Sequence, residues 1–295
     1  MKRWKEPLPV KLAYGMLYVF LAAIAVTMLF PLINIAASSL SSSRAIVSGE
    51  VLLWPVEFNV RSYVQIFREG SMFAAFQNSV ILTLVGTVLN IVATSLAAYP
   101  LSKKRLLFRS QVLMAIVFTM LFSAGLIPSF LLVKYLGLMG DYWALWLPGM
   151  ISTYNLLVMK TYFESLPQEL EESAAIDGAS DPVILLRIIL PLAKPMLAAI
   201  SLFYAVGWWN SYFGVLLYIN DPAKATLMVK LYSMLLNLNE LLQDSTGMKV
   251  LDVEILTPEA VKAAAIVVST MPILLVYPFL QKHFVKGVLI GSIKG

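Results

Sequence analysis

The stretch Glu164–Pro195, ESLPQELEESAAIDGASDPVILLRIILPLAKP, decides how the rest of the chain is read. Ser165 and Gln168 have the spacing of a capping box, and Pro167 suits a first helical turn. Glu169, Glu171 and Glu172 then sit at the positive end of the helix dipole, and Gly178 stops the helix. Asp181 and Pro182 start a second helix that feeds the next apolar run. The first helix is too short to persist alone and needs something to dock against. Asp177, in its last turn, opposes the dipole by about 0.3–1 kcal/mol and asks for a positive partner outside the segment. The competing reading is a solvated acidic surface helix.

On both sides the chain turns apolar. It is 59% hydrophobic and 13% charged, with mean hydropathy +0.80, more apolar surface than a soluble core of this length buries. About six stretches are long enough to cross a bilayer core. They run Leu12–Ala37, Phe73–Tyr99, Ser110–Tyr135, Tyr142–Tyr162, Pro195–Ile219 and Ala263–Leu280. The expected fold class is therefore all-α, a polytopic membrane protein with about six transmembrane helices. The first stretch is too long for the core of a cleavable signal peptide and reads as a retained helix.

Lys2, Arg3, Lys5 and Lys11, then Lys103, Lys104, Arg105 and Arg109, then Lys282, Lys286 and Lys294 fall on one side if every run crosses. By the positive-inside rule that side is cytoplasmic. The same placement, in short clusters beside apolar runs, argues against nucleic acid as the reason for the net charge of +5. Segments Ser38–Met72 and Asn220–Lys262 then lie outside, and Phe163–Lys194 lies inside. Pro31, Gly86, Pro128, Gly149, Gly207 and Pro272 interrupt the runs. They read as kinks and close helix packing, or as bends lining a path.

The runs carry almost no ionisable side chain of the kind that binds a coupling ion at membrane depth. Lys134, near a helix end, can snorkel to the interface. No segment reads G-x-x-x-x-G-K-[ST], so energy from a nucleotide has to come from another chain. There is no cysteine and a single histidine, His283, which excludes disulfides and thiolate or histidine-rich metal sites; no metal site is expected. A membrane enzyme would need convergent acids or a metal, and neither is legible. The remaining alternative to a partner-driven transporter is a self-contained secondary carrier or channel.

The segment resembles the EAA loop of binding-protein-dependent ABC importer permeases, whose pattern is E-A-A, three residues, G, nine residues, I-x-L-P. Here it falls on Glu172-Ser173-Ala174, Gly178, Ile188, Leu190 and Pro191, with Ser173 in place of the first alanine. Asn78-Ser79, Ala97-Ala98-Tyr99, Trp209-Asn210 and Phe284-Val285-Lys286-Gly287 extend the resemblance along nearly the whole chain, and all are similar to the carbohydrate-uptake subgroup. Within it the chain looks most like the shorter maltose-type permease and permeases for complex or acidic oligosaccharides. The match at Gly49–Tyr63, with Leu53-Trp54-Pro55, is looser.

The resemblance implies a type I ABC importer permease fold with both termini cytoplasmic, in the bacterial inner membrane. It implies a second permease subunit, two ATPase subunits and an extracellular or periplasmic substrate-binding protein as partners. ATP and Mg would be held by the ATPase subunits, this chain would bind no cofactor, and it would have no catalytic residue. The cargo implied is an oligosaccharide, and from the subgroup an acidic, uronate-type one such as alginate or pectin fragments. Glu172, Ser173, Ala174, Asp177, Gly178, Ile188, Leu190 and Pro191 would couple ATPase closure to the membrane helices. The chain then divides into residues 1–72 (tail, first helix and outer segment), 73–283 (permease core, with the coupling loop at 164–194 and an outer loop at 220–262) and a tail at 284–295. In the family that outer loop reaches toward the binding protein, and the tail enters the ATPase interface. The tail's Lys286 and Lys294 read equally as topology anchors.

Tyr204, Trp208, Trp209, Asn210, Tyr212 and Phe213 join aromatic rings to an amide, a combination that stacks a sugar while bonding its hydroxyls. The same residues also suit an interfacial belt or helix packing.

Overall fold

The computed structural model describes residues 8–68, 71–122, 124–244 and 257–292, and among these every regular element is helical. The chain forms two compact units, Met1–Glu69 with Ser233–Thr270, and Gly70–Tyr232 with Met271–Gly295.

The first unit begins with α1 (Leu8–Ser39), an apolar helix with Pro31 inside it. Most of α1 is exposed on every side, so lipid or another membrane chain is its neighbour. Only its end is packed. Asn34 donates to the carbonyls of Val51 at 3.0 Å and Leu52 at 2.9 Å, and the Tyr63 hydroxyl donates to Ser39 at 2.8 Å. The short α2 (Ser43–Val47) is capped by Ser42, whose hydroxyl accepts from Ala45 N–H and donates to Glu57. Arg44 pairs with Glu57 at 3.4 Å. A further helix, α3 (Arg61–Arg68), completes this segment.

The second unit is built on α4 (Ser71–Ser102), which packs along α8 (Thr153–Ser165) and α12 (Lys194–Trp209). Phe163, Met159, Ile189 and Ile200 are sealed in the core they share. Where this core lies in lipid, dispersion between close-packed side chains holds it, since lipid tails are as apolar as the side chains themselves.

The expected spans are present as apolar sequence, but three are not single helices. Ser110–Tyr135 divides into α5 (Arg109–Leu121) and α6 (Leu126–Tyr135), sharply bent against each other, with Gly125 at φ 82° starting the second. Tyr142–Tyr162 divides into α7 (Trp143–Trp146) and α8, because Pro148 and Gly149 leave residues 147–152 irregular. Pro195–Ile219 divides at Asn210–Tyr212 into α12 and α13 (Phe213–Tyr218). Among the described residues, three helices are long and apolar enough to cross alone, or up to five if each bent pair counts as one span. Irregular backbone at membrane depth survives only where protein groups satisfy it, and the partners of these breaks define the interior of the unit.

Two helices lie partly in each unit, α14 (Leu227–Asp244) and α15 (Pro258–Ser292), the latter containing Pro272 and Pro278. Residues 245–256 of the expected outer loop, Lys294, and the side chains of Lys282, His283 and the Phe284-Val285-Lys286-Gly287 motif lie outside the described residues.

Candidate functional site

Between α8 and α12 the chain makes α9 (Glu169–Ile176), α10 (Asp181–Ile184), one wide π-helical turn at Leu185–Ile189 and α11 (Leu190–Leu192). The expected capping box does not form. Helix α8 runs on to Ser165, so the Ser165 hydroxyl donates back to the Tyr162 carbonyl at 2.7 Å, and Pro167 falls in the turn between helices. The expected stop does form. Gly178 takes φ +82°, its N–H donates to Ala175 and the Ala179 N–H to Ala174, at 3.0 and 2.9 Å. These are the two bonds of a Schellman cap. Asp181 and Pro182 open α10 as expected, and the segment Asp181–Leu192 turns through 84° into α12.

The eight residues assigned to coupling separate by face. Ala174, Ile188 and Leu190 pack against the core, as does Ala179. Glu172, Ser173, Asp177, Gly178 and Pro191 are exposed. Neither Glu172 nor Asp177 has an ion-pair partner among the described residues. Sequence reasoning passed over two apolar residues of α9 that keep exposed surface, Leu170 and Ile176, exposed by 44% and 87%. The signal for Ile176 was available: it follows Glu172 by four residues, on the side of α9 away from the core-facing Ala174.

Three other acids of the segment are held by basic residues between α4 and the start of α5. Lys103 bonds both carboxylate oxygens of Glu171, Arg105 bonds Asp181, and Arg109 bonds Glu164. Lys160 also reaches Glu164, at 2.8 Å. Basic residues that the sequence offers as topology markers thus double as specific partners.

The aromatic cluster is not one surface. The Tyr204 hydroxyl shares a hydrogen bond with Thr94 at 2.8 Å and accepts from Ser152 N–H at 3.0 Å, tying α12 to α4 and to the start of α8. Trp208 lies on Gly86 and Gly149, where a Cβ would meet its indole at 2.6 and 2.9 Å. At these two glycines the close-packing reading is the one the structure takes. Trp209 is buried edge-on to Phe76, with ring centroids 5.9 Å apart, and lines an apolar cavity of about 220 Å³ with Thr83 and Pro272. Asn210 and Phe213 are exposed at the break between α12 and α13, where the Tyr212 ring meets that of Tyr232 at a tilt of 49° with centroids 4.5 Å apart. Of the six residues, Asn210 and Phe213 have the most surface to offer a ligand, and Tyr212 beside them is half-buried, as is Trp208.

At the opposite end from the coupling loop, Asn78 and Ser79 have a defined job. Asn78 donates to the carbonyls of Ala223 and Ala225 at 2.7 and 3.0 Å, and the Ser79 hydroxyl accepts from Leu227 N–H at 2.8 Å. Lys224 in the same turn donates to the Gly140 carbonyl at 2.9 Å and pairs with Asp141 at 3.2 Å. The hydrogen bond from the Trp143 N–H, with this lysine's help, holds the Asp141 carboxyl below its ordinary pKa against the opposing effect of burial.

These features define a membrane transport subunit: apolar helices broken and internally satisfied, and a short polar segment presenting an open face beside them. Comparison with known proteins agrees. Residues 71–290 match the family described as "Binding-protein-dependent transport system inner membrane component", and the chain belongs to that family. It is 43% identical to the polygalacturonan/rhamnogalacturonan transport system permease protein YtcP of Bacillus subtilis (strain 168), over 95% of this chain and 97% of that one. It is 42% identical to protein LplC of the same organism, over 94% and 92% of the two chains. Among solved structures it superposes on a chain of a bacterial ABC transporter involved in the import of the acidic polysaccharide alginate. There the TM-score is 0.83 and the identity 32%, over 95% of this chain and 99% of the other. The chain is a multi-pass membrane permease of the ABC type, and the all-α permease fold expected from the sequence is the one observed.

Proposed function

We propose that this permease is one of two translocation subunits of an ATP-driven importer in the bacterial cytoplasmic membrane, with both termini cytoplasmic, and that it carries acidic oligosaccharides of the uronate type. The observation that carries the reading is the outer face of α9. Ile176 stands exposed on the same side of α9 as Glu172, four residues earlier, and neither Glu172 nor Asp177 has an ion-pair partner among the described residues. A water-soluble end of a membrane protein gains nothing by exposing an isoleucine next to unpaired acids unless another surface covers both. The partner is an ATPase subunit, which holds ATP and Mg. A second permease and a substrate-binding protein complete the assembly.

The acidic cargo rests on two relatives. The transport system of one is named for polygalacturonan and rhamnogalacturonan, and that of the other for alginate. Asn210, Tyr212 and Phe213, at the break between α12 and α13, are the residues of this chain placed to meet it.

The test is a reconstituted complex of the proposed subunits in proteoliposomes. Binding protein loaded with an oligogalacturonate should stimulate ATP hydrolysis, and Ile176→Glu should remove that stimulation. Unstimulated hydrolysis in the complex, with Ile176→Glu behaving as wild type, would end the proposal. Uptake by this chain alone, driven by an ion gradient, would favour a secondary carrier instead.

A further inference from the structure

We propose that Lys103, Arg105 and Arg109 are positioning residues that clasp the coupling segment to α4, so that a partner's displacement of α9 is delivered to α4 as well as along the chain into α12. This rests on the importer function proposed above and adds a route for the movement.

The three cations reach three different pieces of the segment. Arg109 holds Glu164 at the end of α8, Lys103 holds Glu171 in α9, and Arg105 holds Asp181 at the start of α10. Arg109 also donates from Nε to the Leu101 carbonyl at 2.8 Å, fixing the pairs to the last turn of α4. Lys103 lies 4.6 Å from the centre of the Tyr99 ring, again on α4. Its pair with Glu171 is the most enclosed, with side chains 17% and 16% exposed, so salt screens it less than the open Arg105 pair.

What α4 would receive, it can pass on. Asn90, two-thirds of the way along α4, donates to the Gly149 and Met150 carbonyls at 2.6 and 2.7 Å and accepts from Trp208 at 2.5 Å. Movement of α4 therefore acts on the α7–α8 break and on Trp208, which stands just before the exposed Asn210. A purely topological role for the basic loop asks only for positive charge on the inner side. It does not ask that each cation meet an acid of a different coupling element.

The experiment uses the complete transporter in proteoliposomes. Lys103→Ala should cut the stimulation of ATP hydrolysis by loaded binding protein about tenfold, a typical coupling magnitude, while unstimulated hydrolysis persists. Lys103→Arg should restore it, and so should the exchange of Lys103→Glu with Glu171→Lys. If the exchanged pair is as impaired as Lys103→Glu alone, the clasp is refuted and only the inside-positive charge matters.

The absence of cysteine permits a second measurement that survives poor activity of a variant. Spin labels at Lys104→Cys and Ala175→Cys, which line one cleft of about 350 Å³, report the spacing of the basic loop and α9 when the partners lack cysteine. The spacing should stay constant between nucleotide-free and ATP-bound transporter, and should broaden with Lys103→Ala. A spacing that changes with ATP in the otherwise unaltered chain overturns the clasp even though the importer stands. A wild-type complex that hydrolyses ATP without stimulation removes the importer function, and the clasp with it.

Discussion

The indole N–H of Trp208 donates to the side-chain oxygen of Asn90 at 2.5 Å, and the amide nitrogen of the same asparagine closes the carbonyls of Gly149 and Met150. One fully buried side chain thus satisfies both a helix break and the neighbouring tryptophan.

Asn90→Leu should be the more damaging change at this junction. It keeps the branched shape but strands two carbonyls and one N–H, each costing about 1–3 kcal/mol when left without a partner. Trp208→Phe leaves the asparagine able to hold both carbonyls and strands only its Oδ1, one group at about 1–3 kcal/mol instead of three, plus some packing. Thermal unfolding of the detergent-purified chain should rank Asn90→Leu well below Trp208→Phe. Equal midpoints would mean that the break is satisfied by other groups.

Two glycines in the same unit should respond in opposite directions to alanine. At Gly86 a Cβ would lie 2.6 Å from Nε1 of Trp208, whose ring is wedged against Gly149 on its far side, so it has little room to yield. Overpacking of this kind costs about 1–3 kcal/mol. At Gly207, in α12, a Cβ meets nothing within 4 Å, and the helix gains from alanine by about 0.8–1 kcal/mol. The unfolding midpoint should fall for Gly86→Ala and hold or rise for Gly207→Ala.

The sequence reveals the existence of the spans more clearly than their continuity. Hydropathy sees Pro148 and Gly149 inside an apolar run, but whether that run stays one helix depends on whether a distant group can take the freed carbonyls. Asn90 is that group, 59 residues away from Gly149. The coupling segment was legible because its signals are local: Gly178 at a positive φ, Pro182 at a helix start, acids in the first turn of α9. The capping box failed for a non-local reason, since α8 continued far enough to claim Ser165. The split of the aromatic cluster was equally hidden. Only packing shows that Tyr204 and Trp208 spend their polar atoms on Thr94, Ser152 and Asn90.

The turn that joins Lys224 to Asp141 should be insensitive to pH across the neutral range and fail only in acid. Asp141 has a lowered pKa in the folded chain, so its contribution is fully present above the unfolded value and disappears as pH falls through the folded one, below about pH 4. The carboxyl is half exposed, so the effect is small and screened. Asp141→Asn should flatten the acid limb of a plot of midpoint against pH without moving its neutral plateau by much. A shift centred between pH 6 and 8 would contradict the assignment to this carboxylate.

Gly178→Ala offers the sharpest separation of coupling from stability. A Cβ there meets nothing within 4 Å, so no neighbour is pushed, but the positive φ of 82° penalises alanine by about 1–2 kcal/mol. The strain is relieved most readily by changing that dihedral, which undoes the two cap bonds from Gly178 and Ala179 and swings the end of α9 that carries Ile176 and Asp177. The core beneath is shared by α4, α8 and α12, and the capped turn adds only the small side chains of Ala174 and Ala179 to it. The purified chain should therefore unfold within a few degrees of wild type, while the stimulation of ATP hydrolysis in the assembled transporter falls several-fold. Gly86→Ala should show the reverse order, with stability lost first. A Gly178→Ala transporter with unaltered stimulation would show that the geometry of this cap does not matter to coupling.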